Sequence, residues 1–141
     1  YVYIRILNPT NKYKISSPKL LINGSMATPN SKNKKANTKI VGQCNPLMKC
    51  LYILNVDDRV VWHEFAHFVD NTKDTSKTKV FKKAHKNEWM ETTDAYDLLT
   101  VNTATAGEYF AEMYSFFRVN GIPADDACPM TKDVFRKLFN N

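Results

Sequence analysis

Asp57-Asp58-Arg59-Val60-Val61-Trp62-His63-Glu64-Phe65-Ala66-His67-Phe68-Val69-Asp70-Asn71 is the stretch around which the chain organises itself. It contains neither Gly nor Pro, and the two aspartates at its head suit the N-terminal end of a helix, so a helix is predicted over residues 59–71. Val61, Phe65, Phe68 and Val69 give that helix an apolar side, while Val60, His63, Glu64 and His67 lie along another. Histidines four positions apart on a helix stand about one turn apart on the same face, so both imidazoles can reach one metal ion. A glutamate directly after the first histidine is placed to hold and deprotonate a water beside that ion. The chain has only 3 histidines in 141 residues, and two of them fall here. A pair of merely packed histidines explains the stretch less well. It leaves Glu64 as a charged group on an apolar segment, which costs free energy unless something uses it.

A catalytic zinc ion takes three protein ligands and keeps a fourth position open, so His63 and His67 need a partner from elsewhere. Glu108 is the expected third ligand. It opens the next strong helix, expected over residues 108–119, and Glu112 follows four positions later on the same face. One of these carboxylates can bind metal while the other orients a histidine from behind. His85, set among Lys82, Lys83 and Lys86, is a weaker ligand candidate, and an exposed imidazole is its ordinary fate. Asp70 lies three positions after His67 and is expected to support that histidine rather than bind metal. The donor that would stabilise a tetrahedral oxyanion is not named by the sequence. Tyr96, Tyr109 and His85 are all open, with Tyr96 favoured because it precedes Glu108 in an irregular stretch.

Upstream, the chain reads as short strands. Residues 1–7 alternate and are rich in β-formers, residues 8–11 form a turn, and residues 12–17, 19–23, 39–43 and 49–55 are further strand candidates. Residues 24–39 are polar, lysine-rich and without period, as expected of an exposed loop. Downstream, residues 73–78 read as a connector and residues 80–90 as a helix. Residues 92–107 read as an irregular Thr-rich stretch with one helical turn near 94–99. Gly121-Ile122-Pro123 stops the helix at 108–119, and Pro129 starts a last one to Phe139. Strands first and helices after predict an α+β fold: one domain over residues 1–141, with a small mixed β-sheet, then the active-site helix and C-terminal helices. Residues 1–56 would form a β-rich, lysine-rich lobe, and residues 57–141 a helical lobe carrying the metal site.

Composition narrows the function classes. At 43% hydrophobic and 12% aromatic, the chain can bury a core unaided, and no apolar run is long enough to cross a bilayer. No signal peptide is visible, and the absence of an initiator Met suggests an excised portion of a longer product. Cys44, Cys50 and Cys128 are odd in number and lack metal-ligand spacing, so free thiols are expected ahead of a Cys44–Cys50 ring. All fourteen acidic residues fall after residue 56, and nine of the twenty basic ones before it. Lys32, Lys34, Lys35 and Lys39 carry no interleaved aromatics, so they read as a solvated loop rather than a nucleic-acid surface.

The segments His63-Glu64-Phe65-Ala66-His67-Phe68-Val69-Asp70 and Gly107-Glu108-Tyr109-Phe110-Ala111-Glu112 resemble those of the anthrax lethal factor-type metallopeptidases and the related bacterial Pro-Pro endopeptidases. The resemblance covers about residues 50–141 and is specific at these two segments. It implies a zincin-like catalytic domain with Glu108 as third zinc ligand and Glu112 in support. It also implies a secreted Gram-positive enzyme or toxin domain that cuts peptide bonds, sometimes beside proline. The family carries a catalytic tyrosine seven positions before the ligand glutamate, where this chain has Val101. Either Tyr96 takes that role from a shifted loop, or the donor is missing.

The reading that follows is a zinc-dependent endopeptidase, Zn2+ held by His63, His67 and Glu108, with Glu64 as general base and Tyr96 as candidate donor. It is expected to act as a monomer on protein or peptide substrate, with no nucleic acid and no membrane insertion. The alternative is a zincin-like module that has lost turnover and serves binding or structure. A basic binding protein, resting only on the lysine-rich first half, is the third.

Overall fold

The computed structural model describes residues 3–6, 20–22, 25–27, 42–45, 47, 49–53 and 57–140. Four helices build its body: α1 (Asp58–Lys73), α2 (Lys79–Ala95), α3 (Ala106–Asn120) and α4 (Pro129–Phe139). Each begins where the sequence supplies an acceptor for orphan backbone N–H groups. Asp57 takes an extended conformation and accepts from the Arg59 N–H at 2.7 Å. Thr78 accepts from Phe81 and Thr105 from Glu108, both at 3.2 Å. Helix α4 instead starts on Pro129, whose missing N–H leaves one donor fewer to satisfy. The Glu88 carboxylate, buried on α2, accepts from the next two amides, Met130 at 2.8 Å and Thr131 at 2.9 Å. Helix α1 stops at Asp74 (φ 52) and α3 at Gly121 (φ 75), both in the left-handed region that breaks helical repetition.

The strands are three or four residues long. β1 (Tyr3–Ile6) runs parallel to β5 (Cys50–Ile53), and β4 (Gly42–Asn45) pairs antiparallel with the other edge of β5. β2 (Leu20–Ile22) and β3 (Ser25–Ala27) form a separate antiparallel pair. β3 therefore occupies the start of the segment expected to be loop, while the strand expected over residues 12–17 lies outside the described residues. Cys44 stands opposite Leu51, and Cys50 opposite Asn45. Successive side chains on a strand alternate faces, so this register puts the two cysteines on opposite faces, and none of the three cysteines forms a disulfide.

The α+β expectation, with its small mixed sheet as a structural layer, is corrected here: the protein is mainly helical. The buried hydrophobic core consists of Ala66 on α1, Phe81 on α2, Tyr109, Phe110, Ala111, Met113, Tyr114 and Phe117 along α3, Phe135 on α4, and Cys128 at the head of α4. The physical reason is reach: a strand of four residues turns two side chains to either face, whereas α3 is buried from Tyr109 through Ser115. The expectation of an irregular stretch over residues 92–107 is also corrected. Helix α2 continues to Ala95, and one 3-10 turn (Thr100–Asn102) precedes α3. Thr92 and Thr93 are accommodated in the helix with their hydroxyls donating to the Glu88 and Trp89 carbonyls one turn earlier.

Phe135 is the hinge of the aromatic core, its ring contacting those of Phe81, Phe110, Tyr114, Phe117 and Phe139 at centroid separations of 5.2–6.3 Å. Phe135→Ala is expected to lower stability by about 3–5 kcal/mol, through lost burial and a cavity that five rings cannot close together. Denaturant unfolding monitored by circular dichroism measures this. A loss under about 1 kcal/mol would show that α4 is not part of the cooperative core.

Candidate metal centre

Helices α1 and α3 lie against each other, and Ala66 on one and Ala111 and Ser115 on the other are fully buried. The Ser115 hydroxyl reaches the Arg59 carbonyl across the seam at 2.6 Å. This close approach brings the polar row of α1 onto the first two turns of α3.

His63 and His67 stand a turn apart, as their spacing requires, with their rings edge to face and centroids 5.0 Å apart. Their Nε2 atoms converge on one carboxylate: His63 Nε2 lies 3.1 Å from Glu108 Oε2, and His67 Nε2 3.3 Å from Glu108 Oε1. One ligand atom from each of the three residues lies within 4.8 Å of the others. On the far side of the ring, His63 Nδ1 donates to Glu112 Oε2 at 3.0 Å. The remaining oxygen of Glu112 pairs with the Arg59 guanidinium.

The donor set fits a divalent cation. Neighbouring donors around a tetrahedral zinc ion stand about 3.3 Å apart, given metal–ligand bonds of about 2.0–2.1 Å. The two imidazole-to-carboxylate separations are close to that. His63 Nδ1 is already committed to Glu112, so Nε2 is the nitrogen left to face an ion. The local field also favours positive charge. Burial works against protonation of His63, yet hydrogen bonds to Glu108 and Glu112 and the nearby Glu64 outweigh it and push its pKa up to about 10. Burial likewise opposes ionisation of Glu108, but the same two imidazoles hold its carboxyl well below the usual range.

Glu64 is buried at 8% exposure, on α1 between the two histidines. Burial raises its pKa, against the opposing pull of His63 and His67 and of a hydrogen bond from the backbone amide of Cys44 on β4. Burial pushes the Cys44 thiol itself up to about 12, with the Glu64 carboxylate adding to the effect.

The other expected site residues are not brought to the cluster. Asp70 does not support His67; its carboxylate accepts from the backbone and hydroxyl of Ser76 and closes the turn between α1 and α2. Tyr96 stacks on Phe116 at 4.6 Å, and its hydroxyl donates to Asp125 at 3.0 Å. Phe116 is two helical turns beyond Glu108, about 12 Å along the axis. Burial and the Asp125 carboxylate both raise the Tyr96 pKa. Tyr109 points the opposite way, fully buried, with its hydroxyl on Thr92 and Thr131 at 3.2 and 2.9 Å. His85 is half-buried rather than exposed, packed on Tyr109, and donates from Nε2 to the Thr103 carbonyl at 2.8 Å. Val101 is half exposed on the 3-10 turn that precedes α3.

Arg59 and Ser115 were missed from sequence. The signal existed for Arg59, which stands four positions before His63 and so continues the His63–His67 row by one turn. Ser115 offers no such signal, because only the packing of α3 on α1 makes it a partner.

The fold and the cluster together define a mainly helical protein whose His63, His67 and Glu108 can hold a metal ion. Comparison with protein-family models, with curated proteins and with solved structures finds no match to this chain.

Proposed function

We propose that the chain is a zinc-dependent endopeptidase, with His63, His67 and Glu108 as metal ligands and Glu64 as general base. The observation that carries this reading is the convergence of both Nε2 atoms on the Glu108 carboxylate, with Glu64 beside them on the same helix. Two imidazoles and one carboxylate form a borderline donor set that suits zinc above the harder cations. When bound, zinc supplies an acidified water and polarises the carbonyl to be attacked. Glu64 then accepts a proton at its carboxylate and returns it to the leaving amine. Burial keeps that carboxylate out of bulk water, and the Cys44 amide fixes one of its oxygens. The substrate class is polypeptide.

A second reading, a metal-binding module without turnover, is favoured by one specific finding. Tyr96, Tyr109 and His85 all spend their donors elsewhere, and Val101 offers none.

Profiling against a broad peptide library by mass spectrometry separates the two. Cleavage that disappears with a chelator and returns with zinc is the expected result. Stoichiometric zinc binding without any cleavage would establish the module instead, and cleavage indifferent to chelator would refute the metal-dependent reading.

A further inference from the structure

Beyond the ligands, a second row of contacts ties Glu112 to the protein. The Arg59 Nη2 pairs with Glu112 Oε1, and Arg59 Nε donates to Ser115 Oγ at 2.9 Å. The same hydroxyl donates to the Arg59 carbonyl at 2.6 Å, and the guanidinium lies over the Phe116 ring at 5.2 Å. Ser115 is fully buried. Arg59 is thus gripped at its backbone, its Nε and its planar face before it meets the carboxylate. Glu112, at 10% side-chain exposure, has its two oxygens divided: one to Arg59, the other to His63 Nδ1.

We propose that Arg59 is a positioning residue for the metal centre: it holds Glu112 in the one orientation that keeps the His63 Nδ1 proton in place and Nε2 aimed at the ion. The inference rests on the metal-centre reading above. A carboxylate left with one partner can rotate about its terminal torsion, which is broad and only weakly restrained. It can then leave the imidazole unheld or swing toward the cation itself. With Arg59 on Oε1, neither movement is open without breaking a charge-assisted bond in a partly buried seam.

The sign of the effect separates positioning from simple electrostatics. Removing a cation near a metal site should tighten metal binding if charge alone matters. Removing a positioning group should weaken it despite the charge. Loss of such supporting contacts to a metal-bound histidine lowers affinity by roughly 10–100-fold.

The test uses Arg59→Met, Arg59→Lys, Glu112→Gln and the double variant Arg59→Met/Glu112→Gln. Zinc affinity is measured by competition with a chromophoric chelator, the cobalt absorption spectrum reports ligand geometry, and thermal unfolding of the metal-free proteins reports the fold. Arg59→Met is expected to weaken zinc binding by about 10–100-fold and to alter the cobalt bands. Arg59→Lys should recover part of the loss, since an ammonium can meet Glu112 but cannot also present Nε to Ser115. In the Glu112→Gln background, Arg59→Met should add little, because the two act through one contact. Zinc affinity within about twofold of the parent, or tighter, with an unchanged cobalt spectrum and only lower thermal stability, would reduce Arg59 to a seam between helices. Should Arg59→Met fail to fold, the lysine variant and Glu112→Gln carry the same comparison. A parent protein that binds zinc while the variants match it overturns this inference alone. A parent that binds no divalent metal overturns the metal-centre reading and this inference with it.

Discussion

Glu108→Gln is expected to weaken zinc binding by about 10²–10³-fold while leaving the helices intact. Structural zinc sites with four ligands bind with about 10–16 kcal/mol, so an equal share for one ligand is about 2.5–4 kcal/mol. Glu108 is also the only residue of the described cluster that touches both histidines, at 3.1 and 3.3 Å, so its loss removes the element that makes the three donors converge. Glutamine preserves the shape but brings a neutral oxygen in place of a carboxylate. The fold should survive, because the Glu108 side chain is 41% exposed and α3 keeps its Thr105 cap, which bonds the backbone rather than the carboxylate. Chelator competition measures the affinity and circular dichroism the fold. Unweakened stoichiometric binding by this variant would place the third ligand elsewhere.

Glu64→Gln is expected to lower peptide cleavage by about 10²–10⁴-fold with zinc still bound stoichiometrically. Only the general base is removed, since the ligand nitrogens and Glu108 are untouched. The same substitution carries a stability prediction of opposite sign. Burial raises the Glu64 pKa above its ordinary value of 4.5, so the unfolded chain gives up this proton before the folded protein does. Ionised Glu64 therefore costs folding stability as pH rises through 4.5 towards the higher folded value, and the cost persists at neutral pH. Glutamine does not pay it and can still accept from the Cys44 amide. The metal-free variant should melt at or above the parent temperature at neutral pH, with the difference shrinking toward pH 4. Equal cleavage rates for parent and variant would remove Glu64 from the chemistry. A lower melting temperature would mean the carboxylate is doing structural duty instead.

Together with the module reading, these two variants sort the outcomes cleanly. Loss of metal without prior activity leaves a binding centre. Loss of cleavage with metal retained makes Glu64 the base.

The His63-Glu64-Phe65-Ala66-His67 spacing needed no tertiary information, because the 3.6-residue period of a helix already stacks both imidazoles. Glu108 and Glu112 were legible for the same reason, each being one turn from the other on a helix bounded by Thr105 and Gly121. The fold class was not legible. Short β-rich runs looked like a structural sheet, yet they supply strands of only three or four residues, and the aromatic faces of α1 to α4 make the described core. The fates of Tyr96, His85 and Asp70 were also hidden, since each depends on a partner distant in space: Asp125, Thr103 and the turn at Ser76.

By itself, then, the chain determined which groups would stand in a row on each helix, because that follows from local backbone geometry alone. Only the tertiary structure decided which rows face each other. The packing of α1 on α3 sets Arg59 on Glu112, Glu112 on His63, and both histidines on Glu108. Contacts 41 to 56 residues apart along the chain arise from packing of whole helices, and no local pattern encodes them.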